Sequence, residues 1–202
     1  GSRDNEALEN MSHLSNELSE LSRELSKKNR DLQQANEKIT QLARTDYLTG
    51  LSNRSYFQER LKEIFSLSKR HGLELAVMLA DLDHFKRIND SYGHEIGDKV
   101  LQTFGSILAN ECRTEDLAAR YGGEELIVML PKTSVSGATA LYERVRNQLV
   151  NSNILPGSDY ITVSAGIAEY KAGDSEELLL KRVDDALYEA KNKGRDRCVA
   201  SA

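Results

Sequence analysis

Leu117-Ala118-Ala119-Arg120-Tyr121-Gly122-Gly123-Glu124-Glu125-Leu126-Ile127-Val128-Met129-Leu130 sets two apolar runs on either side of a glycine pair. Runs of this length and composition predict two strands, and the adjacent glycines between them predict a tight antiparallel hairpin. Working upstream, Leu75 to Asp81 predicts another strand and residues 53–70 an apolar-periodic helix. Helices are expected over 96–110, 136–151 and 175–192, with a turn at Pro156-Gly157 and a β-branched strand from Tyr160 to Ala168. Strands that alternate with helices, two of them joined by a hairpin, predict a mixed sheet flanked by helices, α/β or α+β in class.

The first 43 residues are of a different kind. After Gly1 they hold no glycine, proline or aromatic residue. Apolar residues recur at heptad a and d positions: Met11/Leu14, Leu18/Leu21, Leu25/Lys28, Leu32/Ala35 and Ile39/Leu42. Five such heptads exceed what an amphipathic core helix needs and predict a coiled coil. At 1.5 Å per residue it would run about 60 Å, too long to fold back on a small domain. Residues 1–43 are therefore expected to dimerise the chain, and 44–202 to form the globular domain. The seam has a second possible register, with Leu25, Leu32 and Ile39 at d and Asn29, Asn36 and Ala43 at a.

The 202 residues carry 27 Lys+Arg against 32 Asp+Glu, a net charge of −5. This disfavours nucleic acid as a partner. The longest apolar run, around Leu73 to Leu82, is interrupted by Glu74, so no membrane segment is expected. Gly1-Ser2 reads as a cloning remnant, with no signal peptide. Cys112 and Cys198 lie far apart without metal or disulfide spacing, which suits a reducing, cytoplasmic location.

Several stretches carry candidate chemistry. Leu79-Ala80-Asp81-Leu82-Asp83-His84-Phe85-Lys86 ends an apolar strand in two carboxylates at i and i+2, on one face by alternation. With a lysine nearby they suit a hard cation carrying phosphates; they also suit a solvated strand end and a turn cap. Gly122-Gly123 would permit positive φ and close approach of a ligand, with Glu124 and Glu125 following at once; a plain hairpin needs no more than the glycines. Arg87 to Asp98 offers Asn89 and Asp98, whose donors and acceptors suit a guanine edge, or equally Asx turns and a helix cap. Lys191 and Arg195 flank a helix end, where they complement the dipole or clasp phosphate.

Taken together and in order, these stretches resemble the GGDEF family of diguanylate cyclases. The resemblance runs from Arg44-Thr45-Asp46-Tyr47-Leu48-Thr49-Gly50-Leu51-Ser52-Asn53-Arg54 through DLDHFKRIND, GHEIGD, RYGGEEL, TVSAGIA and DDALYEAKNKGR to Gly194-Arg195. It implies a sheet like that of nucleotide cyclases and polymerase palms, and the Mg²⁺-dependent condensation of two GTP into cyclic di-GMP and two pyrophosphates by a homodimer. Two Mg²⁺ would serve each half-site, with Mn²⁺ as a substitute. Asp81, Glu124 and the Leu82 carbonyl resemble the metal ligands, and Glu124 the acceptor of the ribose 3′-OH proton, with Glu125 in support. Asn89 and Asp98 resemble guanine readers, His94 a substrate contact, and Lys86, Lys191 and Arg195 triphosphate contacts.

Arg113 and Asp116, the ends of an RxxD pattern that stands before the hairpin, resemble the family's inhibitory product site, with Arg144 as a second arginine. By spacing alone they would be a weak surface ion pair. Leu126 stands where the family usually has Phe and is expected to point into the core. The resemblance also implies an upstream sensor domain and control through the coiled coil. A nucleotide receptor without turnover, or an adaptor built on the coiled coil, are the competing classes; the intact metal and base set favours the enzyme.

Overall fold

The computed structural model describes residues 2–157 and 159–201; in the first helix side chains are described at positions 13, 16–36, 39 and 44. Met11, Leu14, Leu42 and Ala43 of the two expected seams lie outside the described side chains. The chain divides into two units, residues 1–43 and 44–202.

Helix α1 (Ser2–Arg44) is continuous. Leu18, Leu21, Leu25, Leu32 and Ile39 each leave between 62 % and 69 % of their surface exposed, a stripe with no partner within the single chain. Lys28, at a d position of the first register, extends to Glu24 one turn back, 3.7 Å away, with its head in solvent. No helix among the described residues is long and apolar enough to cross a membrane.

The second unit is a mixed α/β fold built on one six-stranded sheet. In chain order it runs β1 (Ser52–Asn53), α2 (Arg54–His71), β2 (Leu75–Leu82), α3 (Phe85–Tyr92), α4 (His94–Glu111), β3 (Leu117–Arg120), β4 (Glu125–Pro131), α5 (Val135–Val150), β5 (Val163–Glu169), α6 (Glu176–Asn192) and β6 (Cys198–Ala200). Strand order is β1-β3-β4-β2-β5-β6. The pairs β3–β4, β4–β2 and β2–β5 are antiparallel, and the edge pairs β1–β3 and β5–β6 parallel.

β2 is central, and all eight of its residues are buried. Its alternation divides the core. Ala76, Met78, Ala80 and Leu82 pack with α3, α4 and α5 on one face; Leu75, Val77 and Leu79 pack with α2 and α6 on the other. Leu126 is fully buried in the first layer, pointing into the core as expected. α6 lies unusually close to the sheet because Gly166 has no side chain. A Cβ there would sit 2.1 Å from the Val183 carbonyl oxygen and 2.3 Å from the Leu187 nitrogen. This approach brings the last turn of α6 to the end of β2.

Five elements depart from expectation. α3 is a helix where turns were expected: only Phe85 and Ile88 anchor its eight residues, too few for a periodic signal. α4 begins at His94, two residues early. β5 begins at Val163, not Tyr160, because its partner β2 ends at Leu82, opposite Val163. The edge strands β1 and β6 are too short to show alternation.

Candidate active site

Asp81 stands near the end of β2, opposite Glu125 on one neighbouring strand and Ser164 on the other. It is not a solvated strand end, being only 6 % exposed. Its Oδ2 lies 3.0 Å from Nζ of Lys191, delivered by α6. Asp83, also buried, does not cap α3, whose N-cap is His84 without a side-chain bond. Instead its Oδ1 accepts a hydrogen bond from Ser164 Oγ (2.7 Å), and its Oδ2 accepts from Thr162 Oγ1 (2.8 Å) and the Asp196 backbone N–H (3.0 Å). It therefore ties the β2 terminus to β5 and to the turn after α6, and the guanidinium Nε of Arg195 stands 4.0 Å away.

The β3–β4 turn is held by Tyr121 N–H and Gly122 N–H donating to the Glu125 carbonyl, at 2.8 and 3.2 Å. Neither Gly122 nor Gly123 takes a positive φ, contrary to expectation. A Cβ at Gly122 would sit 2.3 Å from Glu125 Oε2, so a larger residue there would displace the Glu125 carboxylate. Arg120 supports the turn from behind, donating through Nη2 to the Gly123 carbonyl (2.8 Å) and through Nη1 to Asp46 Oδ2 (3.3 Å). Asp46 is itself fixed by the Thr49 N–H (2.9 Å) and hydroxyl (2.7 Å). Spacing gave no sign of this brace, since the two ends of the Asp46–Arg120 pair are 74 residues apart.

Two adjoining clefts open on these elements. A small one of about 180 Å³ is lined by Asp81, Leu82, Lys86, Glu124, Lys191 and Arg195. A wider one of about 600 Å³ is lined by Lys86, Asn89, His94, Asp98, Arg120 and Glu124. They share Phe85, Lys86 and Glu124. Asn89 is seated over Gly97, where a Cβ would come within 1.8 Å of its Oδ1. Glu125 lines neither cleft but lies beside the first.

Burial raises the pKa of Asp81, against the opposing hydrogen bond and charge of Lys191. Glu124 and Glu125 are raised as well, by burial first and then by the Asp81 charge, again with Lys191 opposing. Carboxylates crowded in this way favour a cation between them. No group of three or more acidic, His or Cys side chains forms a preformed metal cluster among the described residues. Asp81, Leu82 and Glu124 nevertheless line one cleft, where two carboxylates and a backbone carbonyl could supply the oxygen donors a hard divalent ion takes, with its remaining ligands from water or phosphate.

Arg113, Asp116 and Arg144 line neither cleft. The Arg113 backbone N–H donates to Asp116 Oδ2 (2.8 Å), so the contact between them is not the side-chain ion pair that spacing suggests. Asp116 Oδ1 is buried without a hydrogen-bond partner. Arg144 Nε pairs with Glu111 Oε2 at 2.5 Å. Burial, then the charges of Asp116 and Glu111, push the Cys112 thiol up to about 12, with Arg144 opposing.

Comparison with known proteins places this geometry. Residues 43–197 match the family model described as the diguanylate cyclase GGDEF domain. The response regulator PleD of Caulobacter vibrioides is 41 % identical over 167 residues, covering 80 % of this chain and 37 % of PleD. The diguanylate cyclase DgcP of Pseudomonas aeruginosa is 43 % identical over 159 residues, covering 78 % of this chain and 24 % of DgcP. The chain thus spans well under half the length of either. Among solved structures, the coiled coil and GGDEF domain of DgcB from Caulobacter crescentus, in complex with c-di-GMP, superposes with a TM-score of 0.83 at 31 % identity, covering 90 % of this chain and 97 % of that one.

Proposed function

The chain belongs to the GGDEF family of diguanylate cyclases, and on that premise we propose that it condenses two GTP into cyclic di-GMP and two pyrophosphates, as a dimer of two such domains. The observation that carries the proposal is the pair of adjoining clefts, which set Asn89, His94 and Asp98 on one side of Glu124 and Lys86 and Asp81, Lys191 and Arg195 on the other.

Asn89 and Asp98 read the guanine edge in the wider cleft, beside His94. Lys86, Lys191 and Arg195 take the triphosphate, so Lys191 exchanges Asp81 for phosphate oxygens when nucleotide enters. Asp81, Glu124 and the Leu82 carbonyl would hold Mg²⁺, or Mn²⁺ in its place, which supplies neutralisation of phosphate charge and a lowered pKa for the attacking hydroxyl. Glu124 accepts the 3′-OH proton, with Glu125 supporting it. The ribose 3′-oxygen of one GTP forms a bond to the α-phosphorus of the other as the bond to the β-phosphate oxygen breaks, and cations on the departing pyrophosphate stabilise its charge. The second half-reaction repeats this with the roles exchanged. The dimer is built by α1 as a parallel coiled coil in the cytoplasm, and control enters through that helix. The test is to incubate the chain with GTP and Mg²⁺ and resolve the products by mass spectrometry. One cyclic di-GMP for every two pyrophosphates is expected; bound but unconverted GTP at micromolar protein would favour a receptor.

Product inhibition is proposed to act through Arg113, Asp116 and Arg144. The support is Asp116 Oδ1, a buried acceptor without a donor, which a guanine N–H would satisfy. Arg113, exposed, would meet the product phosphates. Arg113→Ala should weaken product inhibition about 10- to 100-fold, the loss of a charge-assisted bond, and raise the plateau of progress curves with little change in initial rate. Superimposable curves for variant and wild type would leave the pair without this role.

A further inference from the structure

The turn after α6 has a backbone that its sequence does not favour. Gly194, Arg195 and Asp196 take φ values of 107°, 62° and 48° in succession. Such values suit glycine and are tolerated by aspartate, but an arginine adopts them only when its surroundings impose them. Backbone bonds from Gly194 N–H to the Lys191 carbonyl and from Arg195 N–H to the Ala190 carbonyl close the turn, and two side-chain anchors hold it in place. The Asp196 N–H is held by the buried Asp83 carboxylate at 3.0 Å. The Asp196 side chain is gripped by Arg146 of α5, whose Nε donates to Oδ1 at 2.7 Å while Nη2 donates to Oδ2. A two-pronged guanidinium–carboxylate contact fixes orientation as well as distance. α5 packs in the other core layer from α6, so the grip ties the turn to a second, independently anchored helix.

We propose that Arg146 is a positioning residue for the phosphate end of the active site: by clamping Asp196 it holds the 194–196 turn in its left-handed form and so presents the Arg195 guanidinium to the cleft that also holds Asp81 and Lys191. This rests on the reading of Arg195 as a triphosphate contact. Without the clamp the turn relaxes toward ordinary φ values, and the Arg195 Cα–Cβ bond, whose direction follows the backbone, points elsewhere. Guanine reading by Asn89 and Asp98 lies on α3 and α4 and is untouched.

The test is calorimetric titration of the full chain, with Mg²⁺ present, using a non-hydrolysable GTP analogue and, separately, GMP. Arg195→Met should weaken the analogue about 10-fold, as loss of a charge-assisted hydrogen bond does, and leave GMP unchanged. Arg146→Met should do the same, and the double variant should be no weaker than Arg195→Met alone. Arg146→Lys, which restores charge but only one prong, should recover part of the loss. Asp196→Asn, which keeps a residue tolerant of the left-handed region, should reproduce the effect should Arg146→Met fold poorly. Hydrogen exchange at the Asp196 amide should speed up in Arg146→Met. Equal weakening of analogue and GMP would make Arg146 merely structural, and an unchanged analogue affinity or additive losses in the double variant would overturn the proposal. An Arg195→Met chain that binds the analogue normally would instead refute the phosphate reading, and the positioning role with it.

Discussion

Glu124→Gln is expected to lower cyclic di-GMP formation about 10³-fold or more, the scale of a lost general base, while the domain still unfolds cooperatively. Gln has the shape of Glu but neither binds a hard cation as well nor accepts the proton. Glu124 contributes little to the core: the turn is held by the backbone bonds to the Glu125 carbonyl and by Arg120, and the neighbouring buried anchor is Leu126. The metal-free fold should in fact gain stability. Asp81, Glu124 and Glu125 all have raised pKa values, chiefly through burial. In the interval between the ordinary carboxyl value, about 4.3 for Glu, and the raised one, the folded chain holds protons that the unfolded chain has released. Stability therefore falls as pH rises through that interval, and the penalty is complete above it. Glu124→Gln removes one of the three contributors and one repulsive neighbour of the other two. Calorimetry in EDTA should show the variant melting above wild type at pH 7, with the difference vanishing on acidification below the ordinary Glu value. A lower melting temperature at pH 7, or loss of the cooperative transition, would make Glu124 a structural residue.

The parts of this molecule legible in its sequence are those whose signal is local. β2 and the β3–β4 hairpin are continuous apolar runs. α2 and α6 have N-caps, Asn53 and Ser175, whose side chains accept from Tyr56 N–H and Leu178 N–H, one turn ahead in sequence. The acidic and guanine-reading candidates could be named because each lies in a short stretch, and the fold brings those stretches to two adjoining clefts. What stayed hidden depends on long-range partners. Asp83 looked like a turn cap because Thr162, Ser164 and Asp196 lie 79, 81 and 113 residues away. Lys191 read as a dipole partner or a phosphate ligand, and its contact with Asp81 stayed hidden because its helix had to be placed against Gly166 before Asp81 came within reach. The glycine pair was read for conformational freedom, whereas Gly122 matters because a Cβ there would displace the Glu125 carboxylate. Arg146 lacked any signal, since nothing in a helical sequence marks which arginine will meet a strained turn 50 residues later.

Deleting residues 3–42 is expected to lower specific activity at micromolar protein by two to three orders of magnitude, and to make it rise with protein concentration. Each domain presents one set of clefts, and in the proposed reaction it would hold one GTP, so that two 3′-oxygens must meet two α-phosphates across a two-fold axis. Isolated domains would have to find each other by diffusion. Joined through α1, they face an effective concentration of about 1 mM, on the order of 10³ times a micromolar solution. The helix has what such a tether needs. Leu18, Leu21, Leu25, Leu32 and Ile39 lie on one stripe and stay mostly exposed in the single chain, and each gains about 1.5–3 kcal/mol on full burial against a partner. Lys28 and Ala35, at d positions of the first register, would weaken that seam locally. Sedimentation should show the full chain as a dimer and the truncated chain as a monomer whose melting temperature is unchanged, because residues 44–202 hold their own core. A truncated monomer that keeps full specific activity at nanomolar concentration would show that turnover does not depend on pairing through α1, and would return that helix to the status of a spacer.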